Sequence, residues 1–288
     1  MKTVADTLGV ARSGLAATKR PASAPRGKTK RGRPPQDETE LLNEIKGLIA
    51  TRQSYGYRRV WAMLRRDRIA RGLEPWNHKR VYRVMKGHGL LLERHFGKGE
   101  ERHHDGRVAV AERNTRWCSD GFEIGCDNGE RVRIAFVMDC CDREVMSHVA
   151  TTGGITGEMV RDLMVEATER RFGPVNRLPA TIEWLSDNGS CYTAAETRGF
   201  AKDIGFKPVT TPIESPQSNG MAEALVKTIK RDYAKFAKKP DAERVLESLH
   251  VWFEDYNTIH PHKALGYRSP REFIATNAST QEMGLSDL

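Results

Sequence analysis

From about residue 116 the hydrophobic pattern of this chain changes from a helical period to a strict alternation, and that switch limits what it can fold into. Trp117 to Cys126 alternates, Asp127-Asn128-Gly129-Glu130 carries turn chemistry, and Arg131 to Cys141 alternates again, which predicts a β-hairpin. A third strand is predicted over Glu144 to Thr152, then a helix over Thr156 to Phe172 that buries Met159, Leu163, Val165 and Ala167. Thr181 to Ser186 reads as a fourth strand ending at Asp187-Asn188-Gly189. A helix near 194–204, a short strand from Lys207 to Thr211, and helices near 218–236 and 242–257 follow. Three antiparallel strands leading into alternating helices and strands imply an α/β domain around a mixed five-stranded sheet.

The front of the chain is different in kind. Residues 1–35 hold nine Lys or Arg against the single acid Asp6, and residues 36–105 hold 15 bases and 10 acids, whereas residues 106–288 hold 23 bases and 27 acids. Positive charge confined to the front suggests a polyanion-binding region ahead of a part built for another task. Residues 17–36 are rich in Pro, Ala, Gly and Lys/Arg without apolar periodicity, as in a disordered basic arm. Within it Arg31-Gly32-Arg33-Pro34 resembles the core of an AT-hook, a tetrapeptide whose arginines suit a narrow minor groove and which a plain basic linker also contains. Val4 to Leu15 reads as the turn and second helix of a helix-turn-helix whose first part lies elsewhere.

Residues 37–92 have a helical period. Leu41, Leu42, Ile45, Leu48 and Ile49 form one stripe. A second helix from about Tyr57 to Ile69 turns Val60, Trp61 and Leu64 inward and Arg58, Arg59, Arg65, Arg66 and Arg68 mostly outward. Asn77 is an N-cap for a third helix in which Val81, Val84 and Met85 pack while Lys79, Arg80, Arg83 and Lys86 point away. Three short helices with a basic outer face fit a helix-turn-helix DNA-binding unit, and a solvated bundle would share the pattern. Arginine-rich faces on two successive helices beside a basic arm favour DNA.

The five cysteines, Cys118, Cys126, Cys140, Cys141 and Cys191, form no Cys-x-x-Cys pair, which disfavours a disulfide framework or a cysteine zinc site and fits a reducing compartment. No apolar run approaches the roughly 18 residues that span a bilayer, and the polar N-terminus is no signal peptide, so a cytoplasmic protein without a membrane partner is expected.

Three acids stand out by position. Asp120 shares its strand parity with Cys118, Phe122, Ile124 and Cys126, an otherwise apolar face on which a carboxylate is costly unless neutralised. Asp187 ends the fourth strand, where α/β sheets place ligand-binding groups. Glu223 falls in the first turn of a helix after the loop Ser215 to Gly220, with Lys227 and Lys230 within about 40° of it around the axis. On that helix Ala222, Val226, Ile229, Tyr233 and Phe236 form a separate apolar stripe. Taken singly each acid has an ordinary structural explanation, such as a helix dipole or an i,i+4 salt bridge. Together they repel unless cations lie between them, and such hard oxygen ligands suit Mg²⁺ or Mn²⁺, two ions per site.

The spacing of 35 residues between Asp187 and Glu223, with Lys230 seven beyond the Glu, resembles the Asp-Asp-35-Glu signature of retroviral integrases and bacterial insertion-sequence transposases. Asn114-Thr115-Arg116-Trp117-x-x-Asp120, Asp187-Asn188-Gly189, Ser215-Pro216-x-x-Asn219-Gly220-x-x-Glu223 and Tyr256-Asn257-x-x-His260-Pro261-His262-x-x-Leu265-Gly266 through Ser269-Pro270 resemble the marker segments of the insertion-sequence-three family. Tyr55-Gly56-Tyr57-Arg58-Arg59-Val60-Trp61 resembles its upstream helix-turn-helix, and the wording around Trp117 to Phe122 and Cys140 to Glu144 is nearest the insertion-sequence-two subgroup.

The resemblance implies a ribonuclease-H-like core preceded by a small all-α helix-turn-helix domain and a basic arm. It divides the chain into an arm (1–36), a helical domain with linker (37–105), a catalytic core (106–275) and a tail (276–288). It further implies a transposase with Asp120, Asp187 and Glu223 as catalytic metal ligands, and Lys227, Lys230, Arg31, Arg33, Arg58, Arg59, Lys79, Arg80 and Arg83 on DNA. Its reaction is hydrolysis at a transposon end, followed by attack of the freed 3′-hydroxyl on a second DNA phosphate, with a circular intermediate. Transposon ends, target DNA, further copies of the chain and an upstream-frame product are the implied partners. Two features depart from the pattern: Gly121-Phe122 stands where many relatives carry Ile-Thr, and Asp139 and Asp142 are rival first carboxylates. The His-His-Cys-Cys zinc module of retroviral integrases is absent around His103 and His104. A DNA-binding regulator that no longer cuts, and a nuclease that hydrolyses without joining, remain the alternative readings.

Overall fold

Leu41 and Ile45, one helical turn apart, are fully buried and begin a small apolar core that three helices build. The computed structural model describes residues 6–7, 9, 37–93, 109–210 and 220–285, with side chains as far as 277. Arg31, Arg33, His103, His104, nearly all of Val4 to Leu15, and the loop before Gly220 lie outside them. The chain forms two compact units, Met1–Glu38 and Thr39–Leu288, and the helices and strands named below all belong to the second.

Helices α1 (Thr39–Thr51), α2 (Tyr57–Ala70) and α3 (His78–Gly87) close around Leu41, Ile45, Tyr55, Val60, Leu64, Val81, Val84 and Met85. Asn77 caps α3 as its sequence position implies, its side chain accepting from the Lys79 N–H at 2.8 Å. Arg68, expected among the outward arginines, is buried. Its guanidinium lies 4.0 Å above the Trp76 ring and donates to Glu40 and Glu44 at 2.7 and 2.9 Å, fastening α2 to α1. Period alone cannot reveal this, because the compensating acids lie 28 and 24 residues back in sequence.

Five strands follow, β1 (Arg116–Gly125), β2 (Arg131–Asp139), β3 (Val145–Thr151), β4 (Ile182–Ser186) and β5 (Phe206–Thr210), in the sheet order β3-β2-β1-β4-β5. β1, β2 and β3 pair antiparallel, and β4 and β5 run parallel to β1, giving the mixed ribonuclease-H-like sheet. Alternation along β1 feeds two cores. Trp117 packs with Trp184 and Phe206 beneath α4 (Gly157–Phe172), α5 (Ser190–Thr193) and α6 (Ala195–Asp203). Cys118, Phe122 and Ile124 pack on the other face with α7 (Gly220–Thr228) and α8 (Ala242–Thr258). Cys118 and Cys140 are buried, and the five cysteines are free thiols.

Three expectations need correction. β2 stops at Asp139, two residues early, because the Asp139 carboxylate accepts from the N–H groups of Cys141 (2.7 Å) and Asp142 (3.3 Å), and Arg143 then takes a left-handed φ of 63°. In α4 the buried face is Val160, Leu163, Met164 and Ala167; Val165 points to solvent and Met159 is half-buried. After Thr228 the last helical turns widen into a π-helix, Ile229–Ala234. The added residue per turn rotates the face, so Tyr233 and Ala234 are buried while Phe236, placed on the apolar stripe by a 3.6-residue period, is 46 % exposed.

A further helix, α9 (Pro270–Leu285), occupies the expected tail. Ser269 and Glu272 form a reciprocal capping box: the Ser269 N–H donates to the Glu272 carboxylate at 2.8 Å, and the Glu272 N–H to the Ser269 hydroxyl at 3.3 Å. No helix among the described residues is long and apolar enough to cross a membrane.

The three-helix bundle is fastened to the elements around the sheet by charge and hydrogen bonds. Arg52 reaches Asp255 at 2.8 Å, Arg59 reaches Asp232 at 2.8 Å, and Arg66 reaches Glu272 at 2.7 Å. The Tyr55 hydroxyl meets Nδ1 of the buried His260 at 3.0 Å.

Candidate active site

In the parallel ladder between β1 and β4, Arg116 stands beside Glu183, Trp117 beside Trp184 and Cys118 beside Leu185. Two residues further along each chain come Asp120 and Asp187, so strand parity sends both carboxylates to the face that bears Cys118 and Leu185. That face is covered by α7, whose Met221, Ala222 and Leu225 share one apolar cluster with Cys118, Phe122 and Leu185. Glu223 lies in the first turn of the same helix. Further along it, Lys230 Nζ stands 5.9 Å from the Phe122 ring centroid, two strand positions from Asp120.

Each acid is held lightly. Asp120 is half-buried and accepts from the Gly121 N–H at 2.8 Å. Asp187 is exposed and accepts from the Gly189 N–H at 3.0 Å, the sharp turn expected of Asp-Asn-Gly. Glu223 pairs with Lys227 at 3.0 Å. Burial, with the nearby charges of Asp187 and Glu223, pushes the Asp120 carboxyl up to about 6 against the opposing Gly121 hydrogen bond. The two distant acids therefore act on Asp120 electrostatically. Among the described residues, no three acid, His or Cys side chains are gathered tightly enough to grip one ion as they stand, and Glu223 is turned to Lys227.

The rival acids have other surroundings. Asp139 pairs across the ladder with Trp117 and is fully buried. It accepts from the Asn114 N–H at 2.7 Å as well as from the N–H of Cys141. Its carboxyl is pushed up by burial and by Asp142, with Arg171 and these hydrogen bonds opposing. The buried Arg171 lies 3.1 Å from Asp142 and 3.3 Å from Glu144, and Arg113 adds a bond to Asp142 at 2.9 Å.

The basic candidates divide as well. Arg58, Lys79 and Arg83 are exposed, as are Lys227 and Lys230. Arg59 is committed to Asp232, and Arg80 lies 4.5 Å over Trp76. Reasoning from sequence missed a cleft of about 950 Å³ between α2, α7 and the turn after α8, to which Arg143, Arg231 and Lys263 contribute. Its cations come from distant segments, and the His260-Pro261-His262 segment was the one sign of it.

Residues 110–216 and 204–270 match integrase core domain families, and residues 35–95 match an HTH-like domain. Over 253 residues, 87% of this chain and 82% of the relative, the chain is 53% identical to transposase InsD for insertion element IS2A/D/F/H/I/K of Escherichia coli, and equally to InsD for IS2D of strain K12. It belongs to the IS2 branch of the insertion-sequence-three transposases. Among solved structures the transposase is similar to a chain of the simian T-cell lymphotropic virus intasome (TM-score 0.47, 14% identity, 80% of this chain and 73% of that one). It is also similar to the catalytic core domain of BIV integrase (TM-score 0.40, 17% identity, 59% and 99%). As in the InsD relatives, an integrase core domain is the transposase's largest part.

Proposed function

We propose that this transposase cuts DNA at the ends of its element and joins the freed 3′-hydroxyl to another phosphate, using Asp120, Asp187 and Glu223. The observation that carries this reading is the uncompensated field on Asp120: two further acids act on it, and no arginine is among its perturbing neighbours. Such a donor set fits divalent metal. Hard carboxylate oxygens from two strands and a helix suit Mg²⁺ or Mn²⁺, and we assign all three acids as ligands of two ions. When bound, the ions would offset the repulsion and polarise the attacking and leaving oxygens of an in-line displacement.

The chain's own groups position the reactants. In the first reaction a water oxygen attacks phosphorus and the bond to the 3′-oxygen breaks; in the second that 3′-oxygen attacks a new phosphate and releases another strand's hydroxyl. No protein nucleophile is required, and the Ser119 and Tyr192 hydroxyls beside β1 are buried and bonded to each other at 2.9 Å. Lys227 and Lys230, exposed on α7, hold backbone phosphates as point charges. A Glu223 that leaves Lys227 to join the other acids frees that ammonium for DNA. Arg58, Lys79 and Arg83 present charge from the helix-turn-helix unit, with Arg31 and Arg33 of the arm adding more. The working form is a homo-oligomer on DNA.

The test is cleavage and strand transfer on end-sequence DNA in Mg²⁺. Asp187→Asn and Glu223→Gln are expected to reduce both reactions to background while binding stays nearly intact. Cutting by either variant would remove the site assignment, and cutting without joining in the wild type would make the chain a nuclease.

A further inference from the structure

The cleft between α2, α7 and the turn after α8 is not explained by the three acids. Its volume of about 950 Å³ falls within the roughly 300–1,000 Å³ of sites that hold one small ligand. A duplex is too thick for it, whereas a few linked nucleotides of one strand are not. Six Lys or Arg side chains line the cleft and no Asp or Glu does.

Four of these cations are already engaged. Arg59 and Arg231 bond Asp232 at 2.8 and 2.6 Å, Lys227 bonds Glu223, and Arg58 bonds the hydroxyls of Tyr57 and Tyr267. Arg143 and Lys263 have no carboxylate partner among the described residues. Arg143 is held at the β2–β3 turn with φ 63°, a backbone conformation costly for a long side chain. Beside it, Nε2 of His262 is buried and has no hydrogen-bond partner, although His262 lines the cleft. Burial first, then Arg143 and Arg59, push the His262 imidazole down to about 3, so the ring is neutral and its nitrogens are one donor and one acceptor. Tyr57 and Tyr267 add flat aromatic faces, and Ala224 and Lys227 carry the lining to within one residue of Glu223.

We propose that this cleft holds a short single strand of DNA, the unpaired terminal nucleotides of the end being processed. Arg143 and Lys263 take its phosphates, His262 Nε2 takes a base or sugar edge, and the tyrosines offer stacking surfaces. This rests on the transposase reading and sharpens it: the end is bound frayed, with one strand led along α7 towards the acids.

The test is anisotropy of the full chain on two end-sequence duplexes, one fully paired and one with a few mismatched terminal pairs. The wild type is expected to prefer the frayed end. Arg143→Asn with Lys263→Gln is expected to lower frayed-end affinity roughly tenfold, the equivalent of one lost stacking or phosphate contact. Paired-end affinity is expected to change little, which also reports an intact fold. Lys263→Glu alone, at an exposed side chain, is a second readout that must weaken frayed binding more than paired binding. Equal weakening, a retained preference in the double variant, or no preference in the wild type overturns the proposal. Asp187→Asn should keep the preference without cutting; if it cuts, the metal-ligand assignment fails while the cleft stands or falls on binding alone.

Discussion

Asp139, Asp142 and Glu144 at the β2–β3 turn and Asp120, Asp187 and Glu223 at the ends of β1, β4 and the start of α7 are both trios of acids. The first has a buried arginine at its centre, and the second has Lys227 at its rim. In the first, Arg171 approaches all three acids within 3.7 Å while backbone N–H groups and Arg113 satisfy the remaining oxygens. Such a closed cluster fastens β2, β3 and α4 together. In the second, the backbone supplies one N–H each to Asp120 and Asp187, and Asp120 bears the others' repulsion. The difference separates acids that complete a fold from acids left open for a ligand of opposite charge.

The sharpest way to break the comparison is to remove the arginine. Arg171→Met leaves buried, unpaired carboxylates and is expected to cost about 3–5 kcal/mol, the range for one partner of a buried pair, visible as a lower urea midpoint. A near-neutral change would mean the closed trio is no tighter than the open one. Asp120→Asn should do the reverse and keep or raise the melting temperature. The Asp120 carboxyl titrates at about 6 in the fold, above about 3.9 in the unfolded chain. The stability it contributes is therefore present below about pH 4 and is lost as pH rises through about 6. Melting temperatures across that window should fall less in Asp120→Asn than in the wild type; identical slopes would contradict the assignment. The smallest effect is expected from Lys230→Ala, which should lower the salt slope of DNA binding by about one with little change in melting temperature. An unchanged slope would place Lys230 off the DNA.

The open trio was legible in the sequence because each acid interrupts a local pattern: Asp120 an apolar strand face, Asp187 a strand end, Glu223 a helix start. The closed trio was half legible. Asp139 and Asp142 were visible as rivals, but their partner Arg171 lies 29 or more residues onward, on a helix whose buried face the period misjudged by a residue. Arg68 and Arg59 eluded the period for the same reason, since an arginine facing solvent and one facing a distant acid occupy the same helical positions. The π-helix has no local mark in Ile229 to Ala234. The capping box at Ser269-Pro270-Arg271-Glu272 did have one, and the helix it starts was readable in principle.

The ties between the three-helix bundle and the rest of the unit set a length as well as a strength. Arg52, Arg59 and Arg66 each end on a different element behind the sheet, on α8, on the π-helix and on α9. Three fixings at three points leave a rigid body little freedom to tilt. The path from the basic face of α3 to Glu223 is then a ruler: the number of base pairs between what is recognised and what is cut becomes a constant written into the protein.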